Sequence, residues 1–157
     1  LCGGGAVAEE DLARAFVAKH PGRVRWSEAR PEDMPDVYAT SHVVVVPTVF
    51  SEGTSLACLE AMATNNGVVA THVGGLPNLV LDEVNGLLIK PGAEALAAAL
   101  RRLARDRNLL ARMAGRAQEV AATFSLERWQ RRWSALLAGA LPALRPSFYA
   151  WRAAQPQ

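Results

Sequence analysis

"VVVVPTVFSEGTSLACLEAMA", residues 43–63, is the stretch on which the fold turns. Four consecutive valines leave no polar alternation, which is the pattern of a strand buried on both faces in the middle of a parallel sheet. Pro47 stops the run, and a Gly53-Thr54-Ser55 turn then opens an apolar helix near residues 55–63. A strand, a turn and a helix in that order place the turn at the carboxyl end of the strand, where open α/β sheets bind ligands. The first amides of such a helix have no partners of their own and its dipole favours negative charge, so a phosphate can dock on Gly53, Thr54 and Ser55. Gly53 would let the backbone come close to that ligand. The alternative is an ordinary tight turn in which Thr54 or Ser55 caps the helix.

Two carboxylates flank this turn, Glu52 and Glu60. With Leu56 at zero and about 100° per residue, Leu59 falls near 300°, Ala63 near 340° and Glu60 near 40°, at the edge of an apolar stripe. A carboxylate bordering a packed face needs donors. A ribose diol supplies two; an arginine or a backbone amide is the other solution.

Working outward, residues 9–20, "EEDLARAFVAKH", carry helical spacing with acids first and a lysine last. "LCGGG" before them reads as a strand end and glycine turn, "RVRW" at 23–26 as a short strand, and "PEDMPDVYATS" as a short helix. After residue 66, "GVVAT" is an apolar strand, "GGLPNLVLD" a glycine turn into a short helical segment, and "NGLLIKPG" a last strand between turn dipeptides. From Ala93 the pattern is helical, with Ser125 as the N-cap of the final helix. Strands joined by helices imply a Rossmann-like parallel α/β sheet flanked by helices, with a helical C-terminal tail.

Of the 157 residues, 50% are hydrophobic and 20% charged, enough apolar surface for one sizeable core. No apolar run approaches the roughly 20 residues of a membrane span. Cys2 and Cys58 lie far apart without metal-ligand spacing, so both are expected as reduced thiols in a cytoplasmic protein. Because the chain opens on Leu1 inside a strand-like segment, a longer parent polypeptide is expected. The net charge of +2 hides a basic second half.

The motif and its surroundings resemble the E-x7-E segment and the successive motifs of the C-terminal, donor-binding domain of the retaining nucleotide-sugar glycosyltransferases of family 4 (group 1). The matching stretches are "PTVFSEGTSLACLEAMA", "VVATHVGGLPNLV" and "NGLLIKPG", and the likeness runs from about Leu1 to Phe124. It implies the C-terminal half of a GT-B fold: a domain at 1–124 that lacks its first βα unit, a C-terminal helix and tail at 125–157, and an absent acceptor-binding N-terminal domain. The implied activity is transfer of a sugar from a UDP- or GDP-sugar to a glycan or lipid-linked acceptor, with retention of configuration and with no cofactor or metal. By the same likeness Glu52 is the catalytic-site residue that accepts hydrogen bonds from the donor sugar. Gly53, Thr54, Ser55 and Leu56 present amides to the sugar and diphosphate, and Glu60 holds the ribose. The turn at Ser27, Glu28 and Ala29 borders the base. Rival readings are a non-catalytic nucleotide- or sugar-binding module and a GT-B sugar epimerase. A phosphorylase would need a cofactor-binding lysine, and only Lys19 and Lys90 are present. A glycosidase would need two acids flanking one bond, which Glu52 and Glu60, two helical turns apart in depth, do not provide.

The sequence departs from the family in three places. The Arg/Lys pair that clamps the diphosphate is not in it, so little or no transfer is expected from this chain alone. Asn65-Asn66 replaces a glycine-then-proline or alanine turn, a change both asparagines can absorb in left-handed conformations. Pro77-Asn78 stands where relatives have proline then glutamate. Of the histidines, His20 and His42 read as structural, while His72 ends a strand on the ligand side. Trp129, Trp133, Leu136 and Ala140 share a helical face with Arg128, Arg131 and Arg132 mostly off it. The first reading is docking on the domain core; the second is a peripheral contact with an anionic membrane at the inner face. Nucleic acid has no accompanying motif.

Overall fold

The computed structural model describes residues 7–140. The expected first strand "LCGGG", Cys2 and the tail beyond residue 140 lie outside that range. Within it, β1 (Val43–Val46), β2 (Gly67–Thr71) and β3 (Leu87–Ile89) form one sheet in the order β1-β2-β3, and both pairings are parallel. The helices are α1 (Val7–Lys19), α2 (Met34–Ala39), α3 (Leu56–Ala63), α4 (Ala93–Arg105), α5 (Arg107–Ala121) and α6 (Leu126–Ala140).

β2 is the strand buried throughout, and alternate residues feed opposite layers because successive side chains point to opposite faces. Val68 and Ala70 meet Cys58, Ala61 and Met62 of α3, together with Leu76, Leu79 and Val80 of the loop after β2. Val69 points the other way, onto Leu103 of α4 and Leu109, Leu110 and Met113 of α5. The result is helix, sheet, helix, as the alternating pattern predicts. Asp106 ends α4 and starts α5 in one residue: its Oδ1 accepts from the Leu109 amide at 2.8 Å. Ser125 caps α6 as expected, accepting from the Arg128 amide at 3.3 Å. Asn65 takes the left-handed conformation (φ 60°). Asn66 does not; it is buried instead and donates to the Tyr38 carbonyl at 3.0 Å.

Three expectations fail. The valine run is the outer strand of the described sheet, and only Val46 of it is buried. All four side chains are apolar, as in a central strand, yet no second strand lies on the outer side of β1 among the described residues. "RVRW" is not a strand; only Ser27 beyond it carries an isolated bridge. α1 forms but buries none of its residues, leaving Leu12 and Phe16 exposed; Arg14 stacks over Trp26 at 4.4 Å.

The third failure concerns α6. Its tryptophans were expected on the core, but Trp129 and Trp133 are 57% and 48% exposed and pack on each other, ring centres 6.0 Å apart. Leu126, Leu136 and Leu137 are exposed beside them. Among the described residues one face of the sheet is covered by α3 and the other by α4 and α5, and the stripe of α6 packs on neither. No described helix is long and apolar enough to cross a membrane.

Candidate functional site

The carboxyl ends of β1 and β2 stand side by side because Val46 pairs with Ala70. The loop leaving β1 carries Glu52, and the loop leaving β2 is pressed against it. Gly75 donates its amide to the Glu52 carbonyl at 3.0 Å. A Cβ on Gly74 would overlap the Glu52 backbone, and one on Gly75 would overlap the Gly53 carbonyl. Gly74-Gly75 therefore serves close backbone contact between two loops. From the other side the Thr71 hydroxyl donates to the Thr48 carbonyl at 2.6 Å, and the Thr48 hydroxyl donates to Glu52 Oε2 at 2.9 Å.

Held in this way, the half-buried Glu52 leads into the start of α3. Ser55 spends its hydroxyl on the cap, accepting from the Cys58 amide at 3.4 Å. The cap expected as the alternative reading thus exists, and it coexists with unused donors: the amides of Gly53, Thr54 and Ser55 have no acceptor among the described residues. Gly53 itself is not demanded by the fold. Its φ is not positive, and a Cβ there would meet nothing within 4 Å. Gly53 and Thr54 are exposed, and the neighbouring helix start is favourable for an anion.

Glu60 is placed differently from the expectation. The packed face of α3 consists of Cys58, Ala61 and Met62, on the opposite side from Leu56. Leu56, Glu60 and Ala63 are exposed, and Leu59 is half-buried. The stripe that looked like a core face fronts an open groove of about 380 Å³ instead. Leu59 and Glu60 form one wall, and Gln118 of α5, Phe124 and Ser125 form the other. Periodicity misled here because α3 is apolar nearly all round, so the spacing of leucines could not say which side meets the sheet. Glu60 still lies on the same side of the helix as Leu56, and Glu52 does not line its groove.

Ser27 and Glu28 are exposed and Ala29 is half-buried, in the loop before α2. His42 gives its carbonyl to the Gly67 amide at 3.0 Å, a structural role. His72 is exposed at the carboxyl edge, its amide bonded to the Ile89 carbonyl at 2.7 Å. No three His, Cys, Asp or Glu side chains converge among the described residues.

Cys58 lies beneath the site, fully buried. Burial, with a smaller push from the Glu52 charge, raises its thiol to about 11. The folded form resists losing this proton while the unfolded thiol loses it near its ordinary value, so stability falls as pH rises from about 9 towards 11. Cys58→Ala is expected to flatten the alkaline limb of a stability profile from urea titrations. An unchanged limb would show that the thiol has no part in it.

Sequence reasoning missed Thr48, Thr71, the Gly74-Gly75 contact and the α5 wall of the groove. A threonine closing the otherwise apolar "GVVAT" was the one readable signal. The wall comes from residues some sixty positions away, beyond the reach of any local pattern.

Residues 1–106 match the family model described as glycosyl transferases, group 1. Over 107 residues the chain is 42% identical to the D-inositol 3-phosphate glycosyltransferase of Saccharomonospora viridis, covering 68% of this chain and 24% of that protein. Over 96 residues it is 40% identical to the enzyme of the same name from Corynebacterium diphtheriae, covering 57% and 22%. Among solved structures, Anabaena HepE in complex with UDP superposes with a TM-score of 0.79 at 26% identity, over 88% of this chain and 40% of that one. Sucrose-phosphate synthase from Thermosynechococcus elongatus gives 0.78 at 28%, over 91% and 38%. The chain spans about a quarter of the length of these curated relatives.

Proposed function

The chain belongs to the group 1 glycosyl transferases, and from that premise we propose that it is the donor-binding part of a retaining glycosyltransferase using a UDP- or GDP-sugar. Its helix-flanked parallel sheet is that of the GT-B glycosyltransferases. The observation that carries the proposal is the Glu52–Ser55 backbone, braced by Gly74-Gly75, with three unused amides in the turn that leads into α3. HepE, 26% identical, has been crystallised with UDP and with UDP-glucose, which supports a nucleotide-sugar donor.

In this reading the diphosphate docks on the amides of Gly53, Thr54 and Ser55, and Leu56 opens the helix behind them. Glu52 accepts hydrogen bonds from the sugar hydroxyls. The bond between the anomeric carbon and the diphosphate breaks, and the bond to the acceptor oxygen forms on the same face. The acceptor proton passes to the departing phosphate, and the negative charge that grows there is met by donors already in place. No resident metal or cofactor is required. Glu60, on the rim of an apolar groove, takes the ribose hydroxyls, and Ser27, Glu28 and Ala29 border the base. The exposed position of Glu60 suits a ligand contact better than an internal pair, since no hydrogen bond to its side chain forms among the described residues.

Domain organisation follows the same proposal. Residues 1–124 belong to the donor domain, and α6 (Leu126–Ala140) follows it. The acceptor, a glycan or lipid-linked molecule, is held by an N-terminal domain outside this chain. Peripheral attachment to an anionic cytoplasmic membrane face is part of the reading, through the exposed Trp129–Trp133 stripe and the arginines beside it. Equal sedimentation of the protein with anionic and neutral vesicles would remove that part.

Calorimetry with UDP-, GDP- and ADP-sugars tests the donor site. Glu60→Ala is expected to weaken the preferred nucleotide by about tenfold, the loss of hydrogen bonds to a charged group. Equal binding by parent and variant would refute the ribose role. The isolated chain is expected to turn over no donor, and measurable transfer would refute the dependence on a second domain.

A further inference from the structure

Glu52 has a long side chain on a surface loop, and contact with a sugar requires that its carboxylate be held still. Two threonines at the ends of adjacent strands supply the means. Thr71 is the last residue of β2 and is 2% exposed. Its hydroxyl donates to the Thr48 carbonyl at 2.6 Å and lies 3.4 Å from the Val46 carbonyl. This ties the first residues after β1 to the sheet. Thr48, half-buried, then donates its own hydroxyl to Glu52 Oε2 at 2.9 Å. Behind the loop the Gly75 amide holds the Glu52 carbonyl at 3.0 Å. Main chain and carboxylate of the same residue are thus fixed from two different strand ends.

We propose that Thr48 is a positioning residue for donor-sugar recognition, engaging Glu52 Oε2 so that Oε1 is presented to the sugar, and that Thr71 sets Thr48. The proposal rests on the reading of Glu52 as the sugar contact. Its chemistry is specific. A hydroxyl can donate one proton, so Thr48 commits one carboxylate oxygen and leaves the other with both its lone-pair directions. That capacity matches two neighbouring hydroxyls of one sugar ring. Valine at residue 48 would keep the shape and leave the carboxylate free to rotate, whereas serine would keep the donor.

The test uses the full-length enzyme, with UDP and UDP-glucose as probes, or GDP and GDP-mannose if the panel above selects guanine. Thr48→Val is expected to lower kcat/KM for the sugar nucleotide by about tenfold or more, the scale of a lost charge-assisted bond. Inhibition by the free nucleoside diphosphate should stay within about twofold of the parent, because the threonine acts on the sugar end only. Thr48→Ser is expected to restore kcat/KM to within about threefold. In a Glu52→Gln background, Thr48→Val should add less than about twofold, since groups acting as one unit are not additive. A general loss of structure would weaken the free diphosphate and the sugar nucleotide alike, and that pattern overturns the proposal. So would a severe Glu52→Gln effect with a harmless Thr48→Val, or fully additive losses. If Glu52→Gln itself leaves kcat/KM unchanged, it is the underlying donor-site reading that falls.

Discussion

Gly74→Ala will destabilise the protein by at least about 2 kcal/mol and abolish measurable donor binding. Gly74 has φ +55°, a left-handed conformation that costs a residue with a side chain about 1–2 kcal/mol. Its new methyl group would also lie 2.9 Å from both the carbonyl carbon and the nitrogen of Glu52, and closer still to the carbonyl oxygen. Backbone cannot yield as a flexible side chain can, so the loop bearing Glu52 and the free amides must move outward. Gly53→Ala provides the contrast. Nothing within 4 Å opposes a methyl group there, so folding stability should change by less than about 0.5 kcal/mol. Donor affinity should nevertheless fall, because the methyl occupies the space a ligand would enter. Urea titration and calorimetry on both variants decide the matter. Parent-like stability and binding in Gly74→Ala would mean that the two loops are not locked together. Parent-like binding in Gly53→Ala would mean that no ligand approaches that backbone.

The contrast between these glycines shows what was legible in the sequence. "SEGTS" announced a turn between a strand and a helix, and "HVGGLP" announced another, from composition alone. That the second turn buttresses the first was not legible, because the contact depends on β1 and β2 being neighbours in register. The order of strands was inferred only as a class of topology. The valine run gave the right element and the wrong place in the described sheet. Its side chains report the hydrophobicity of two faces, whereas an open edge exposes backbone groups, on which sequence hydropathy is silent. α6 repeats the lesson: Trp129, Trp133, Leu136 and Ala140 were read as sharing a face, and Trp129, Trp133 and Leu136 are all exposed, since a face does not name its partner. Asn65 succeeded because the left-handed turn is a property of the residue itself.

Met62→Ala is the variant that decides which side of α3 is structural. Read from the leucines, the packed face would be Leu56, Leu59 and Ala63; in the structure it is Cys58, Ala61 and Met62, all without solvent exposure. Met62 sits against the layer that contains Val68 and Ala70, and its sulfur lies 3.8 Å from that of Cys58. Truncation there removes buried atoms and leaves a cavity beneath β2, for which losses of about 2–5 kcal/mol are usual. Leu56→Ala removes a side chain that is 69% exposed, so its cost should stay under about 0.5 kcal/mol. Chemical denaturation of the two variants side by side measures the difference directly. A larger loss for Leu56→Ala than for Met62→Ala would turn the helix over, and with it Glu60 would leave the open groove. The expected order keeps Glu60 beside the groove and the amides of α3 facing the carboxyl edge of the sheet. Because helix and loop share Ser55 as cap, the Met62 variant should also lose donor affinity in proportion to its loss of folded protein. The Leu56 variant should fold normally, and any change in its affinity would then report contact between that side chain and the ligand.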